Sequence, residues 1–200
     1  VPKRKIPVVL TEEEQERLLE QPNPRYITGE RNYVMLKLML CTGLRLAEAV
    51  NLKWQDINLT SGKITVREGK GGKDRNLWIG KENLELIRNW KEKQTEKAGE
   101  SLDYVFTSMS KGTVGNKINR RYVQDMVKRY AEKAGIDKNI SPHTLRHTFA
   151  TDLYRETGKI RLVQKALGHA DLSTTMIYTH IVDDEMEEAL KNFRNGKVTG

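Results

Sequence analysis

His143 and Arg146 stand three residues apart, directly after Ser141-Pro142. Ser as N-cap and Pro at the first helical position open a helix there, so the two side chains share a face near its N-terminus. Free backbone amides and the helix dipole attract anions at such an end. A phosphate placed there would meet a cation, a proton acceptor and backbone donors together. His147 follows His143 by four residues, which is also a zinc-ligand spacing. The metalloprotease version needs Glu directly after the first His, and this chain has Thr144 there. A histidine on a helix also has many purely structural uses.

Three other segments carry reactive types. In Thr42-Gly43-Leu44-Arg45-Leu46-Ala47-Glu48, the glycine breaks one helix just before the next, and Arg45 and Glu48 pair at a spacing of three. That pair is either a surface salt bridge worth about 0.3–0.5 kcal/mol or an arginine fork aimed at phosphate and steadied by Glu48. Glu68-Gly69-Lys70-Gly71-Gly72-Lys73 is a flexible turn with two lysines. It lacks the Lys-Ser/Thr step of a Walker loop, so it is a solubilising hairpin tip or a mobile cation. Leu167-Gly168-His169 is followed nine residues later by Tyr178. A tyrosine in a short polar helix ordinarily packs against a neighbour; it is chemistry only beside a phosphate site.

These residues need elements to position them. Thr11-Glu12-Glu13-Glu14 is a capping box opening a helix to about Glu20. Residues 21–30 read as a loop, and the apolar residues from Val34 to Leu40 as a buried helix ending at Thr42-Gly43. A second helix is expected over 44–52. Residues 56–59, 63–66 and 75–79 read as three short strands joined by Ser61-Gly62 and the lysine turn. Helices follow over 81–98, 119–134, 141–156 and 160–167, with a short strand at 104–106 and a Ser/Gly/Lys-rich loop over 107–118. Asp171 or Ser173 caps a short helix carrying Tyr178, and a last helix spans 183–193. The expected fold class is mainly α with a small three-stranded antiparallel sheet.

Composition narrows the partners. Of 200 residues, 35 are Lys or Arg and 27 Asp or Glu, a net charge of +8, which suits a polyanion such as nucleic acid. The lone Cys41 lies in an apolar run and reads as a small buried hydrophobe. With no disulfide framework a cytoplasmic location is expected. No apolar stretch reaches membrane-span length, and no signal peptide opens the chain.

Taken together, Thr-Gly-Leu-Arg45 followed by Glu48, the Gly-Lys70-Gly turn, His143-x-x-Arg146, Leu-Gly-His169 and Tyr178 resemble, in order and spacing, the tyrosine recombinase and phage integrase family, in wording closest to its Xer-like branch. The resemblance spans about residues 11–178. It implies the family's catalytic-domain fold and a DNA strand-breaking and rejoining activity through a 3′-phosphotyrosine. On that resemblance Tyr178 is the nucleophile and His143 its proton acceptor. Arg45 and Arg146 clamp the nonbridging oxygens, and His169 hydrogen-bonds the phosphate. Lys70 protonates the leaving 5′-oxygen, with Lys73 three residues away as the alternative. Glu48 and Asp171 are supports, and His147, Thr148, Phe149 and His180 are assigned to packing. Neither metal, cofactor nor ATP is implied, because Arg, Lys and His supply the charge and the covalent link stores the bond energy.

The implied partners are double-stranded DNA, further protomers in a tetramer on two DNA sites, and an accessory activator. Residues 1–10 read as a linker or lead-in, 11–182 as the catalytic domain, and 183–200 as a C-terminal helix and tail exchanged between protomers through Met186, Leu190 and Phe193. The helical DNA-binding domain that family members carry upstream is not in this sequence. Two rival readings use the same residues: a type IB topoisomerase-like nicking-closing enzyme, and a non-catalytic DNA-binding module. The latter expects a decayed catalytic position, and none is found.

Overall fold

The computed structural model describes residues 6–68 and 72–193. Helix α1 (Glu12–Leu19) starts at the expected capping box, in which Glu14 N–H donates to Thr11 Oγ1 and Thr11 N–H to the Glu14 carboxylate. Helix α2 (Ile27–Thr42) begins inside the stretch that reads as a loop. Gly29 permits this, since a Cβ there would lie 1.9 Å from the Asn23 carbonyl oxygen. Gly43, at φ +67°, ends α2, and the chain turns directly through Arg45 into α3 (Leu46–Asn51).

The sheet has two strands rather than three. Strand β1 (Lys63–Val66) pairs antiparallel with β2 (Arg75–Trp78), with Lys63 opposite Trp78 and Val66 opposite Arg75. The expected first strand is instead a 3-10 turn (Trp54–Asp56) followed by a single bridge from Ile57 to Ile64. The reason is Asn58, whose side-chain oxygen accepts from the N–H groups of Thr60 and Ser61 at 2.9 Å each. That Asx-type turn bends the chain before a ladder extends. Residues 104–106 likewise make only an isolated bridge, Tyr104 to Lys53.

Helices α4 (Lys81–Ala98), α5 (Arg120–Lys133), α6 (Pro142–Thr157) and α7 (Ile160–Leu167) lie close to their expected bounds. Helix α8 (Ile177–Asn192) is continuous where two helices are expected, with Tyr178 in its first turn. No glycine or proline lies between those ends to stop it, and the boundary expected at residue 183 falls inside it. Helix α2 packs on α4 and α6, and α6 in turn packs on α7 and α8. The main core gathers side chains from Leu10 to Leu145. A smaller second core holds Ala150, Val163, Leu167, Tyr178 and Ile181, so Tyr178 sits where α6, α7 and α8 converge. Among the described residues, no helix is long and apolar enough to cross a membrane.

Candidate phosphate-binding active site

Arg146 is the joint of the site. It lies one turn into α6, is buried, and donates from Nη1 to the Gly43 carbonyl (2.6 Å) and from Nη2 to the Leu167 carbonyl (2.7 Å). Both acceptors are carbonyls at helix C-termini, where negative partial charge gathers. One side chain therefore ties the α2–α3 turn that carries Arg45 to the α7 end that carries His169. Burial lowers the Arg146 pKa to about 10, with the nearby Arg45 charge adding to the shift and Glu48 opposing it. The guanidinium stays charged at neutral pH.

Arg45 Nη1 donates to Glu48 Oε1 at 2.9 Å, and the Arg45 N–H donates to Glu48 Oε2 at 2.7 Å. Glu48 is gripped a second time by Arg75, whose Nη1 and Nη2 donate to its two oxygens at 2.8 Å each. Burial pushes the Glu48 carboxyl up, but these hydrogen bonds and charges hold it below its ordinary value. Glu68, at the foot of the lysine turn, places Oε1 3.6 Å from Arg45 Nη1. Arg45, Glu48, Glu68, His169 and Asp171 line one groove of about 1020 Å³, which continues past Lys53 and Arg67.

His169 Nε2 lies 3.3 Å from Arg146 Nη2, and its Nδ1 lies 3.0 Å from Thr175 Oγ1. Since the guanidinium only donates, Nε2 accepts and the ring proton sits on Nδ1, facing Thr175. Burial, then the charges of Arg146, Arg45 and Arg75, lower the His169 pKa to about 4. Asp171 is exposed and its carboxylate accepts from Ser173 N–H at 2.9 Å, capping the 3-10 turn Leu172–Thr174 that leads to Tyr178.

Tyr178 is 1% exposed. Its hydroxyl oxygen lies 2.7 Å from Nδ1 of His147, not against His143. His143 is exposed at the α6 N-terminus, with its ring centroid 6.5 Å from that of His147. Burial raises the Tyr178 pKa to about 12, against the pull of Arg146. Burial, then His143 and Arg146, lowers that of His147 to about 4. Proton transfer from phenol to imidazole is strongly uphill in this arrangement, so the hydroxyl is held, not activated. Among the described residues, no group of three or more His, Cys, Asp or Glu could hold a metal ion.

The structure thus brings Arg45, Glu48, Arg146 and His169 together, with Asp171 at the rim. Lys70 lies outside the described residues; Lys73 is described and exposed. Three contributors lie outside the expected set. His147, expected to serve packing, shares a face with His143 at a spacing of four. Arg75 is the inward residue of an alternating strand, two before the buried Leu77, which is an unusual place for an arginine. Thr175 gave no signal.

The sequence profile of the phage integrase family matches residues 8–185. The tyrosine recombinase XerC of Xanthomonas campestris pv. campestris is 40% identical over 178 residues, covering 89% of this chain and 52% of that protein. The tyrosine recombinase XerD of Halalkalibacterium halodurans is 38% identical over 194 residues, covering 95% of this chain and 62% of that one. This chain therefore spans about half to three-fifths of the length of these relatives. Among solved structures, XerA recombinase superposes with a TM-score of 0.78 at 34% identity, over 95% of this chain and 66% of that one. XerH site-specific recombinase, in a post-cleavage complex with a palindromic difH substrate, gives the same TM-score and identity over 96% and 54%. The catalytic domain of bacteriophage HP1 integrase shares the fold, with a TM-score of 0.61 at 24% identity over 97% of this chain and 99% of that domain. With the profile spanning most of the chain and the arginine–histidine groove in place, this chain belongs to the phage integrase family.

Proposed function

We propose that this chain is the catalytic part of a site-specific DNA recombinase that cleaves and rejoins strands through Tyr178. The observation that carries the reading is the position of Arg146, which ties the elements carrying Arg45 and His169 to one groove, while the next residue, His147, holds the Tyr178 hydroxyl. A scissile phosphate in the groove meets Arg45, with the buried charge of Arg146 behind it, and the two offset the charge developing on the nonbridging oxygens as phosphorus becomes five-coordinate. Tyr178 attacks phosphorus and its proton passes to a histidine; by resemblance that is His143, while in the resting structure His147 is the nearer ring. The 5′-oxygen leaves with a proton from Lys70. Attack by a 5′-hydroxyl on the phosphotyrosine reverses the step, so strand joining needs no ATP.

Because Tyr178 starts buried, strand cutting requires the first turn of α8 to move. Contact with a neighbouring protomer through the rest of α8 supplies a route. Arg155 forks onto the Glu185 carboxylate and anchors the middle of the helix. Beyond it Met186, Leu190 and Phe193 are 58%, 64% and 65% exposed. Such apolar exposure at spacings of four and three suits a groove on another protomer, and a tetramer on two DNA sites would provide it. The similarity to Xer recombinases favours recombination over topoisomerase-like relaxation.

The test uses the full-length protein and its own recombination site, nicked near the cleavage point so that the short 5′-hydroxyl fragment diffuses away. A protein–DNA adduct on a denaturing gel with EDTA present, lost in Tyr178→Phe, is the expected result. No adduct from the wild type would remove the catalytic reading in favour of a binding module. Relaxation of plasmid without a specific site and without recombinants would favour the topoisomerase reading.

A further inference from the structure

We infer that Arg75 is a positioning residue that holds the two halves of the phosphate clamp in register. The inference rests on the proposed assignment of Arg45, Arg146 and His169 to the scissile phosphate. Arg75 opens β2 and points inward; its side chain is 7% exposed and that of Glu48 11%. Its two terminal nitrogens take both oxygens of Glu48, and Nε donates to the Ala166 carbonyl at 2.8 Å. Each end of that span carries part of the clamp. On one side, the same Glu48 oxygens hold the side chain and the backbone N–H of Arg45. On the other, Ala166 precedes Leu167, whose carbonyl holds Arg146, and Gly168 and His169 follow.

The fit at this second end is close. A Cβ on Gly168 would lie 3.0 Å from Arg75 Cδ and 3.3 Å from its Nη1. Arg75 is therefore packed under the turn that presents His169 while it is bonded to the acid that orients Arg45. A guanidinium can do both: it is planar, presents a bidentate fork to a carboxylate, and keeps a third donor on Nε in the same plane, pointing to one side. A lysine supplies the charge but not the geometry. Arg75 reaches the reacting phosphate only through Arg45 and the 166–169 turn, so its role is positioning. Misplacement of about 1 Å of groups at a reacting centre costs on the order of a hundredfold in rate.

The test measures single-turnover adduct formation by the full-length protein on its own nicked site, as a function of DNA concentration. Arg75→Lys and Glu48→Gln are each expected to lower the saturated rate about a hundredfold, with the half-saturating DNA concentration within about threefold of wild type. Because the two residues act as one unit, the double variant is expected to fall no more than about threefold below either single variant. Circular dichroism melts fix a common temperature at which every variant is folded; Glu48→Gln keeps the shape of the site should Arg75→Lys fold poorly. A saturated rate within threefold of wild type, an effect confined to half-saturation, or full additivity in the double variant would overturn the inference. Absence of an adduct from the wild type would instead overturn the site assignment beneath it.

Discussion

The Tyr178 hydroxyl and Nδ1 of His147 lie 2.7 Å apart inside a small core shared by α6, α7 and α8. The chain thus stores its proposed nucleophile as a core residue. A phenol whose pKa is raised to about 12 beside an imidazole whose pKa is lowered to about 4 is neutral and unreactive. Entry of a phosphate anion would raise the pKa of nearby imidazoles, so the same event that brings substrate makes proton acceptance easier.

This arrangement predicts selective protection. Tetranitromethane attacks the phenolate of accessible tyrosines. Tyr26, 65% exposed, should nitrate early and Tyr178 last in the free protein. His147→Ala should speed nitration of Tyr178 by removing its hydrogen-bond partner and opening space beside it. Peptide mass mapping of a time course reads this directly. Equal rates for Tyr26 and Tyr178 in the wild type would contradict the buried arrangement.

Acid should destabilise the fold through two rings. His147 and His169 fall from the ordinary 6.5 to about 4. Between these values the unfolded chain binds protons that the folded chain refuses, so stability falls as pH falls. Their contribution is whole above pH 6.5 and is lost as pH passes down through 4. Both rings are partly exposed, which moderates the effect. Melting temperature followed from pH 7 to 4 should decline, and His147→Asn together with His169→Asn should flatten that decline. A wild-type Tm unchanged over that range would refute it.

The local pairings of this site are more legible in the sequence than its resting arrangement. Arg45 and Glu48 at a spacing of three, or Ser141-Pro142 before His143 and Arg146, are local patterns, and helix geometry turns them into shared faces. The Arg45–Glu48 pair was readable, but not its second grip by Arg75, because a contact across 27 residues is set by tertiary packing and not by local spacing. The third strand failed for a local reason, the Asn58 turn, that alternation alone does not reveal. The sequence alone suggests a short helix for Tyr178, capped by Asp171 or Ser173, and a separate one over 183–193. Helix α8 runs through the expected boundary because nothing breaks it. Which histidine faces the phenol depends on where α8 lies on α6, and periodicity carries no information about that.

Gly168 is required by both its backbone and its neighbours. It ends α7 at φ +70°, and a Cβ would lie 3.0 Å from Arg75 Cδ and from Glu68 Oε1. The left-handed conformation alone costs an L-residue about 1–2 kcal/mol. Gly168→Ala should therefore lower stability by at least about 1 kcal/mol. It should also slow adduct formation, because the displaced side chain is Arg75. Urea denaturation reads the first effect and the nicked-site assay the second; an unaffected midpoint would mean that the turn relaxes freely.

The exposed end of α8 predicts a defect in assembly that leaves the fold intact. Truncation after residue 185 keeps the Arg155–Glu185 pair and the second core while removing Met186, Leu190 and Phe193. Native gels with paired sites should then show monomer or dimer complexes in place of tetramers. Leu190→Ser should act in the same direction more mildly. Unchanged tetramers would return the tail to its own protomer.

Leaving-group chemistry distinguishes Lys70 from Lys73 as the general acid. Lys70→Ala should slow cleavage of ordinary DNA by about 10²–10⁴, the usual contribution of a general acid. Replacing the bridging 5′-oxygen with sulfur lowers the basicity of the leaving group, so it departs without a proton. On that substrate Lys70→Ala should recover to near the wild-type rate, while Arg146→Ala, which acts on the nonbridging oxygens, should not. If Lys73→Ala is the variant that sulfur rescues, the acid is Lys73. Rescue of neither would mean that neither lysine protonates the leaving oxygen.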